Sequence, residues 1–189
     1  MKDELESFLG ISNPYPDKEL LNCHRCPKPL HGQNPRTIMG QKFWDITRHE
    51  AYAKFGYKCM ACGIERDNEF ILWKNQLHAH EYYKIDYKNC VIVLDKIVAV
   101  CEACHYFIHD GRTHGLFDSG EYDLETVFLI MNRGLSILGR EKDRHELDNN
   151  EYYIKTWDKW KLVLDGKEYK SKFKNITEWK EFYQHKGDD

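Results

Sequence analysis

The chain has 189 residues, 41% of them apolar and 31% charged, with a formal net charge of −3. That length carries one ordinary domain, or a small domain with extensions. No apolar run approaches the roughly 18 residues needed to cross a bilayer. The charge balance excludes a strongly cationic coat for nucleic acid, although a bound metal adds local positive charge that residue counting misses.

The opening "MKDELESFLG" is acidic and has no apolar core of a secretory signal, so a cytoplasmic protein without a membrane partner is expected. Residues 1–40 hold all five prolines and read as irregular. A helix is expected over "KFWDITRHEAYAKFG", with Phe43, Ile46, Ala51 and Phe55 as an apolar stripe and Gly56 as its C-terminal stop. "YKCMACG" reads as a tight turn. "FILWKNQLHAHEYYKIDY" and "CVIVLDKIVAVC" are rich in β-branched and aromatic residues and read as two strands.

A short helix is expected over "HYFIHDG". A longer one over "DLETVFLIMNRGLSILG" has Leu124, Val127, Phe128, Met131, Leu135 and Leu138 on one face, with Asp123 before it and Gly139 after. "EKDRHELDNNE" reads as a charged linker. "WDKWKLVLDGKEYKSKF" reads as a hairpin turning at Asp165-Gly166. The capping pair Asn175 and Glu178 opens a final helix. The aromatic tail (Trp157, Trp160, Tyr169, Trp179, Phe182 and Tyr183) reads as core first and as a contact surface second.

Six of the seven cysteines form three CxxC pairs. In a reducing compartment such pairs point to metal rather than disulfides. Cys59 and Cys62, then Cys101 and Cys104, flank a stretch that should double back as a hairpin. Two such knuckles close a tetrahedral site of four thiolates, the pattern of a structural zinc. Cys23 and Cys26, with His31 near, are candidates for a further zinc or for a metal-free turn. Cys90 reads as a small buried side chain.

His105 and His109 are spaced i, i+4, so on a helix they share one face. His80 lies on the preceding strand, with His78 on the same face of it. One imidazole from a strand and two from a following helix make a three-ligand site with an open position, which is the pattern of a catalytic ion.

The run "CMAC … LHAHE … VAVCEACHYFIH" resembles the HNH (His-Asn-His) endonucleases of the four-cysteine, ββα-metal type, over roughly residues 43–112. "NPRTIMGQKFWD" is also similar to N-terminal regions of phage and bacterial HNH proteins. The resemblance implies an α+β fold with a ββα-metal (His-Me finger) core, a structural four-cysteine zinc site, flanking helices and a C-terminal hairpin-helix extension. With the elements read above, the chain divides into an irregular N-terminal arm over 1–42 with a possible zinc-binding CxxC, a nuclease-like domain over 43–118 and a helix, hairpin and helix extension over 119–189.

The resemblance further implies metal-dependent hydrolysis of DNA phosphodiesters, by nicking or double-strand cleavage. His80, His105 and His109 would hold Mg²⁺, Mn²⁺ or Zn²⁺, and Glu81 or His80 would activate water. Arg112, and less directly Arg48, are candidates for contacts to phosphate. This chain departs from the family pattern at two positions. Glu81 stands where the family has its general-base histidine, and Lys96 stands where it has its asparagine. The alternative is therefore a catalytically inactive, zinc-stabilised module for nucleic-acid binding or protein interaction, alone, with a protein partner or as a homodimer.

Overall fold

A computed structural model describes residues 16–22, 26–65, 76–142 and 150–184. Cys23, the first part of the first expected strand (70–75) and most of the charged linker lie outside the described residues. Two short 3-10 turns, Lys18–Asn22 and Lys28–Leu30, precede helix α1 (Pro35–Met39). The described residues of the arm expected to be irregular thus form regular turns and a helix, and they bury Leu20, Leu21 and Leu30. Asn34 caps α1 by accepting the Thr37 N–H at 2.9 Å, while Thr37 Oγ1 accepts the Asn34 N–H at 3.1 Å. Pro35 occupies the first turn, where no N–H is missed.

Helix α2 (Gln41–Lys54) forms where a helix was expected, and Gly56 follows it in the left-handed region at φ 59°. The face it buries carries Trp44, Thr47, Ala51 and Tyr52. Phe43 and Ile46 are only half-buried, because the larger Trp44 and Tyr52 rings take the core side.

Strands β1 (Leu77–Asp86) and β2 (Val91–Cys101) pair antiparallel, with His80 opposite Val98 and a register shift at Tyr82/Tyr83. Helices α3 (Glu102–Ile108), α4 (Asp110–Asp118), α5 (Leu124–Leu138) and α6 (Asn150–Thr156) follow. The chain then returns to the sheet. Strand β3 (Lys161–Leu164) runs parallel to β2, and β4 (Lys167–Lys170) closes a hairpin with β3, giving the order β1-β2-β3-β4. Asp165 and Gly166 both have positive φ (49° and 68°), as a two-residue I′ hairpin turn requires. Helix α7 (Ile176–Gln184) ends the described chain, with the Asn175 side chain accepting the Thr177 and Glu178 N–H groups. The C-terminal segment is therefore built into the same sheet as the histidine-bearing hairpin.

The result is a mixed α+β fold with two apolar clusters. One gathers Leu21, Phe55, Tyr82, Val98, Val100, Phe107, Ile130 and Leu138. The other gathers Leu30, Trp44, Ile92, Ile97, Trp157, Trp160, Leu162 and Phe173. Successive side chains of a strand point to opposite faces, so a strand covered on both sides reads as a continuous apolar run, as Ile97–Val100 does.

Helix α5 is capped as expected: Asp123 accepts the Thr126 N–H at 2.7 Å, and Gly139 is left-handed at φ 77°. Its buried face is Val127, Ile130, Gly134 and Leu138. Leu124 and Phe128, expected in the core, are 68% and 64% exposed. Trp157 and Trp160 are core, and the Trp157 indole N–H donates to the Phe173 carbonyl at 2.8 Å. Phe182 and Tyr183 stay at the surface. Among the described residues, no helix is long and apolar enough to cross a membrane.

Candidate metal centres

The first CxxC sits in a knuckle just after α2. The Gly63 N–H donates to the Cys59 carbonyl at 2.7 Å, the Cys59 N–H donates to the Ile64 carbonyl at 2.8 Å, and Gly63 takes φ 78°. The Met60 N–H reaches the Ala99 carbonyl at 2.9 Å, which fastens the knuckle to β2. Cys101 ends β2 and is the N-cap of α3; Cys104 lies in the first turn of α3. The sulfurs of Cys59, Cys62, Cys101 and Cys104 all fall within 4.8 Å of one another.

The cysteines are free thiols, and Cys62 Sγ lies 3.8 Å from Cys101 Sγ. That spacing is far too long for an S–S bond of about 2.05 Å. It matches the edge of a tetrahedron around zinc, about 3.8 Å for Zn–S bonds of about 2.3 Å. Contacts with Cys101 and then Cys104 pull the Cys59 and Cys62 thiols below their ordinary values. The Cys104 thiol is pushed well up, by Cys101 first and then by Cys59, Cys62 and burial. As thiolates, four sulfurs so close would repel one another, and a dication among them would offset that repulsion. The cluster could hold a metal such as zinc.

A second cluster lies one residue further along. The alternation of β1 turns His78 and His80 to one face, where α3 presents His105 and the α3–α4 junction presents His109. One ring nitrogen from each of His80, His105 and His109 lies within 4.8 Å of the others. His109 Nε2 is 3.1 Å from His80 Nδ1, with the donor set by the tautomer. Two nitrogens on one tetrahedral ion, at about 2.0–2.1 Å each, would stand about 3.3 Å apart. His78 stacks on His105 at 4.7 Å between centroids and 18° between planes.

The chemistry of this donor set suits a cation. His80 and His105 are buried (3% and 8% exposed), while His109 lies at the solvent edge with its ring packed against both of theirs. His105 Nδ1 is buried with no hydrogen-bond partner, as is His80 Nε2, across the ring from the Nδ1 that meets His109. Burial, and after it the neighbouring His109, holds both rings well below the usual imidazole value. His109 falls to about 4, from burial first and then from the Arg112 charge. Neutral imidazoles with spare lone pairs are what a divalent ion needs.

The expected single helix over "HYFIHDG" is broken at His109 (φ −92°, ψ 55°), which ends α3 and starts α4. Other groups support that break. Buried Thr113 donates from Oγ1 to the Tyr106 carbonyl at 2.7 Å. Lys142 Nζ donates to the Phe107 and Ile108 carbonyls at 2.8 and 3.2 Å and lies 3.6 Å from Asp110. These donors satisfy carbonyls that a helix end leaves open. Lys142 and Thr113 were not singled out from sequence, since neither sits in a motif.

Other expected site residues lie apart. Glu81 pairs with Ile97, so the pleat turns it to the sheet face opposite His80. There burial raises its carboxyl to about 7, against the smaller opposing influence of Arg36. Arg112 sits beside the imidazoles, its guanidinium 5.6 Å from the Tyr106 ring centre, and its charge adds to the effect of burial in lowering His78 and His109. Arg48 is paired with Asp45 at 2.8 Å on α2. Lys96 is opposite Tyr82, on the His80 face, with its ammonium 5.8 Å from the Tyr82 ring centre.

Cys26 belongs to neither cluster. The two ring nitrogens of His31 are engaged by the Cys26 carbonyl (3.0 Å) and the Trp179 indole N–H (3.3 Å). Among the described residues, the two clusters above are the groups able to hold a metal.

What the fold and the clusters define is an α+β protein with a four-cysteine site fit for zinc. Compared with known proteins, the chain matches no family model, no curated protein and no solved structure.

Proposed function

We propose that the chain is a metal-dependent endonuclease of the HNH, ββα-metal type, hydrolysing DNA phosphodiester bonds. One observation carries this reading: an antiparallel hairpin and the helix after it bring His80, His105 and His109 together beside a four-cysteine cluster. In this reading the thiolates hold a structural zinc, and the imidazoles hold a second divalent ion such as Mg²⁺, Mn²⁺ or Zn²⁺. That ion would supply Lewis acidity toward a phosphate oxygen and toward water.

The chain's own groups set the rest. His80 and His105 approach from the protein interior and His109 from the open side, so access for a substrate is past His109. Arg112, held against the Tyr106 ring, offers a planar fork to the non-bridging oxygens of the same phosphate. Glu81 faces the other side of the sheet and has no part in moving the proton. Contacts of this kind are to the DNA backbone, so weakly specific nicking is the expected activity.

Incubation of plasmid with the purified protein and Mg²⁺ or Mn²⁺ tests this. Open circles should form with the wild type and vanish with His109→Ala; equal nicking by both would remove the assignment. The placement of Glu81 also favours a second reading, a zinc-stabilised DNA-binding module without cleavage. That reading is met if the protein shifts DNA in a gel and never nicks it.

A further inference from the structure

We infer that Arg133 is the charge-compensating residue of the four-cysteine site, donating an N–H···S hydrogen bond to Cys62 and shielding that thiolate from electrophiles. This rests on the cluster holding zinc and is independent of nuclease activity. Zinc with four thiolates carries a net charge of −2, since four anionic sulfurs outweigh one dication. Cys59 and Cys104 are buried, whereas Cys62 and Cys101 are half-exposed, so reagents reach the site through the latter two.

Arg133 Nη2 lies 3.6 Å from Cys62 Sγ, within the range of an N–H···S contact. The approach is built into α5. Gly134, next in sequence, has no side chain, and a Cβ there would sit 2.1 Å from the Phe107 ring. Phe107 belongs to α3, the helix whose start supplies Cys101 and Cys104. The missing side chain lets α5 lie directly on α3 and carries the guanidinium to the edge of the sulfur cluster. Arginine suits this place because it stays charged at any working pH and hydrates weakly enough to be partly buried. Hydrogen bonds from outside the ligand set tune metal affinity by about 10- to 100-fold.

Two measurements on the full-length, zinc-loaded protein test this. In the wild type, limited treatment with N-ethylmaleimide followed by peptide mapping should label Cys101 before Cys62; Cys62 first, or both at equal rates, overturns the proposal. In Arg133→Gln, zinc transfer to a chromogenic chelator should be about 10- to 100-fold faster. The thiolate-to-metal charge-transfer band of the cobalt-substituted protein should also move, and Arg133→Lys should restore part of both. A folded Arg133→Gln with unchanged transfer and an unchanged band also overturns it. If Arg133→Gln does not fold, the labelling order in the wild type decides. A wild type that binds no zinc removes the site and this inference together, whereas absence of nicking removes only the nuclease reading.

Discussion

Cys104 and His105 are consecutive residues of one helical turn, yet they serve different clusters: the sulfur joins Cys59, Cys62 and Cys101, and the imidazole joins His80 and His109. The two centres therefore share a backbone segment, and what holds one in place positions the other.

Whether the four-cysteine cluster holds a structural metal has a direct consequence for stability. The four-cysteine cluster ties the knuckle after α2 to the start of α3, and binding energy at such a site is folding energy. Stripping zinc, or Cys104→Ala, should cost at least about 4 kcal/mol, which lowers the melting temperature by about 10 °C or more for a chain of this size. Differential scanning calorimetry with and without a strong chelator reads this directly, and an unchanged melting temperature would show the cluster to be idle.

Glu81 separates two views of the chemistry. If the chain nicks DNA as proposed, Glu81→Gln should leave nicking within a few-fold of wild type, since its side chain lies on the sheet face away from His80; loss of all nicking would give the carboxylate a role in catalysis. The same variant has a pH signature. The folded carboxyl titrates at about 7 against an ordinary 4.5, so between those values the native state holds a proton that the unfolded chain has released. Wild-type stability then falls as pH rises from about 4.5 to 7, and levels off above. Glu81→Gln should gain on wild type across that window, by up to about 3 kcal/mol at pH 8, and lose the advantage below pH 4.5. Urea unfolding of both proteins at pH 4.5, 6 and 8 checks the sign.

Gly134 should tolerate no side chain. A methyl group placed 2.1 Å from the Phe107 ring must push α3 from α5, at a cost of about 1–3 kcal/mol. Gly111 is the control: a Cβ there meets nothing within 4 Å, so Gly111→Ala should be neutral or slightly stabilising. Equal effects of the two substitutions on thermal unfolding would contradict the close packing of α3 on α5.

Lys142 holds the end of α3 through the Phe107 and Ile108 carbonyls. Lys142→Met should cost about 1–3 kcal/mol by leaving those buried acceptors short of a donor. It should also weaken cobalt binding at the imidazoles while leaving the zinc content unchanged. A variant that loses zinc and keeps imidazole binding would reverse that order.

The two clusters were legible because metal chemistry favours such spacings: CxxC can place two sulfurs on one ion, and an i, i+4 pair of histidines shares a helix face. The I′ turn at Asp165-Gly166 and the Asp123 cap were legible for the same local reason. The buried face of α5 was not. Its apolar residues run round both sides; Val127 and Leu138 lie on the expected face, but the burial of Ile130 rather than Leu124 and Phe128 goes with Gly134 admitting Phe107, a contact between distant segments. The parallel pairing of β3 with β2 joins residues 91–93 to 161–163 and leaves no local trace. Glu81 is the instructive case: the family pattern suggested a base beside His80, whereas the period of two in a strand sends adjacent side chains to opposite faces.

The central claim is tested most directly by titrating cobalt(II) into zinc-loaded protein while recording the visible spectrum. The account expects one further equivalent to bind, with d–d bands and no thiolate charge transfer, and expects that equivalent to disappear in His80→Ala and His109→Ala while zinc stays bound. A wild type that takes up no further cobalt, or variants that take it up as well as the wild type does, would contradict it.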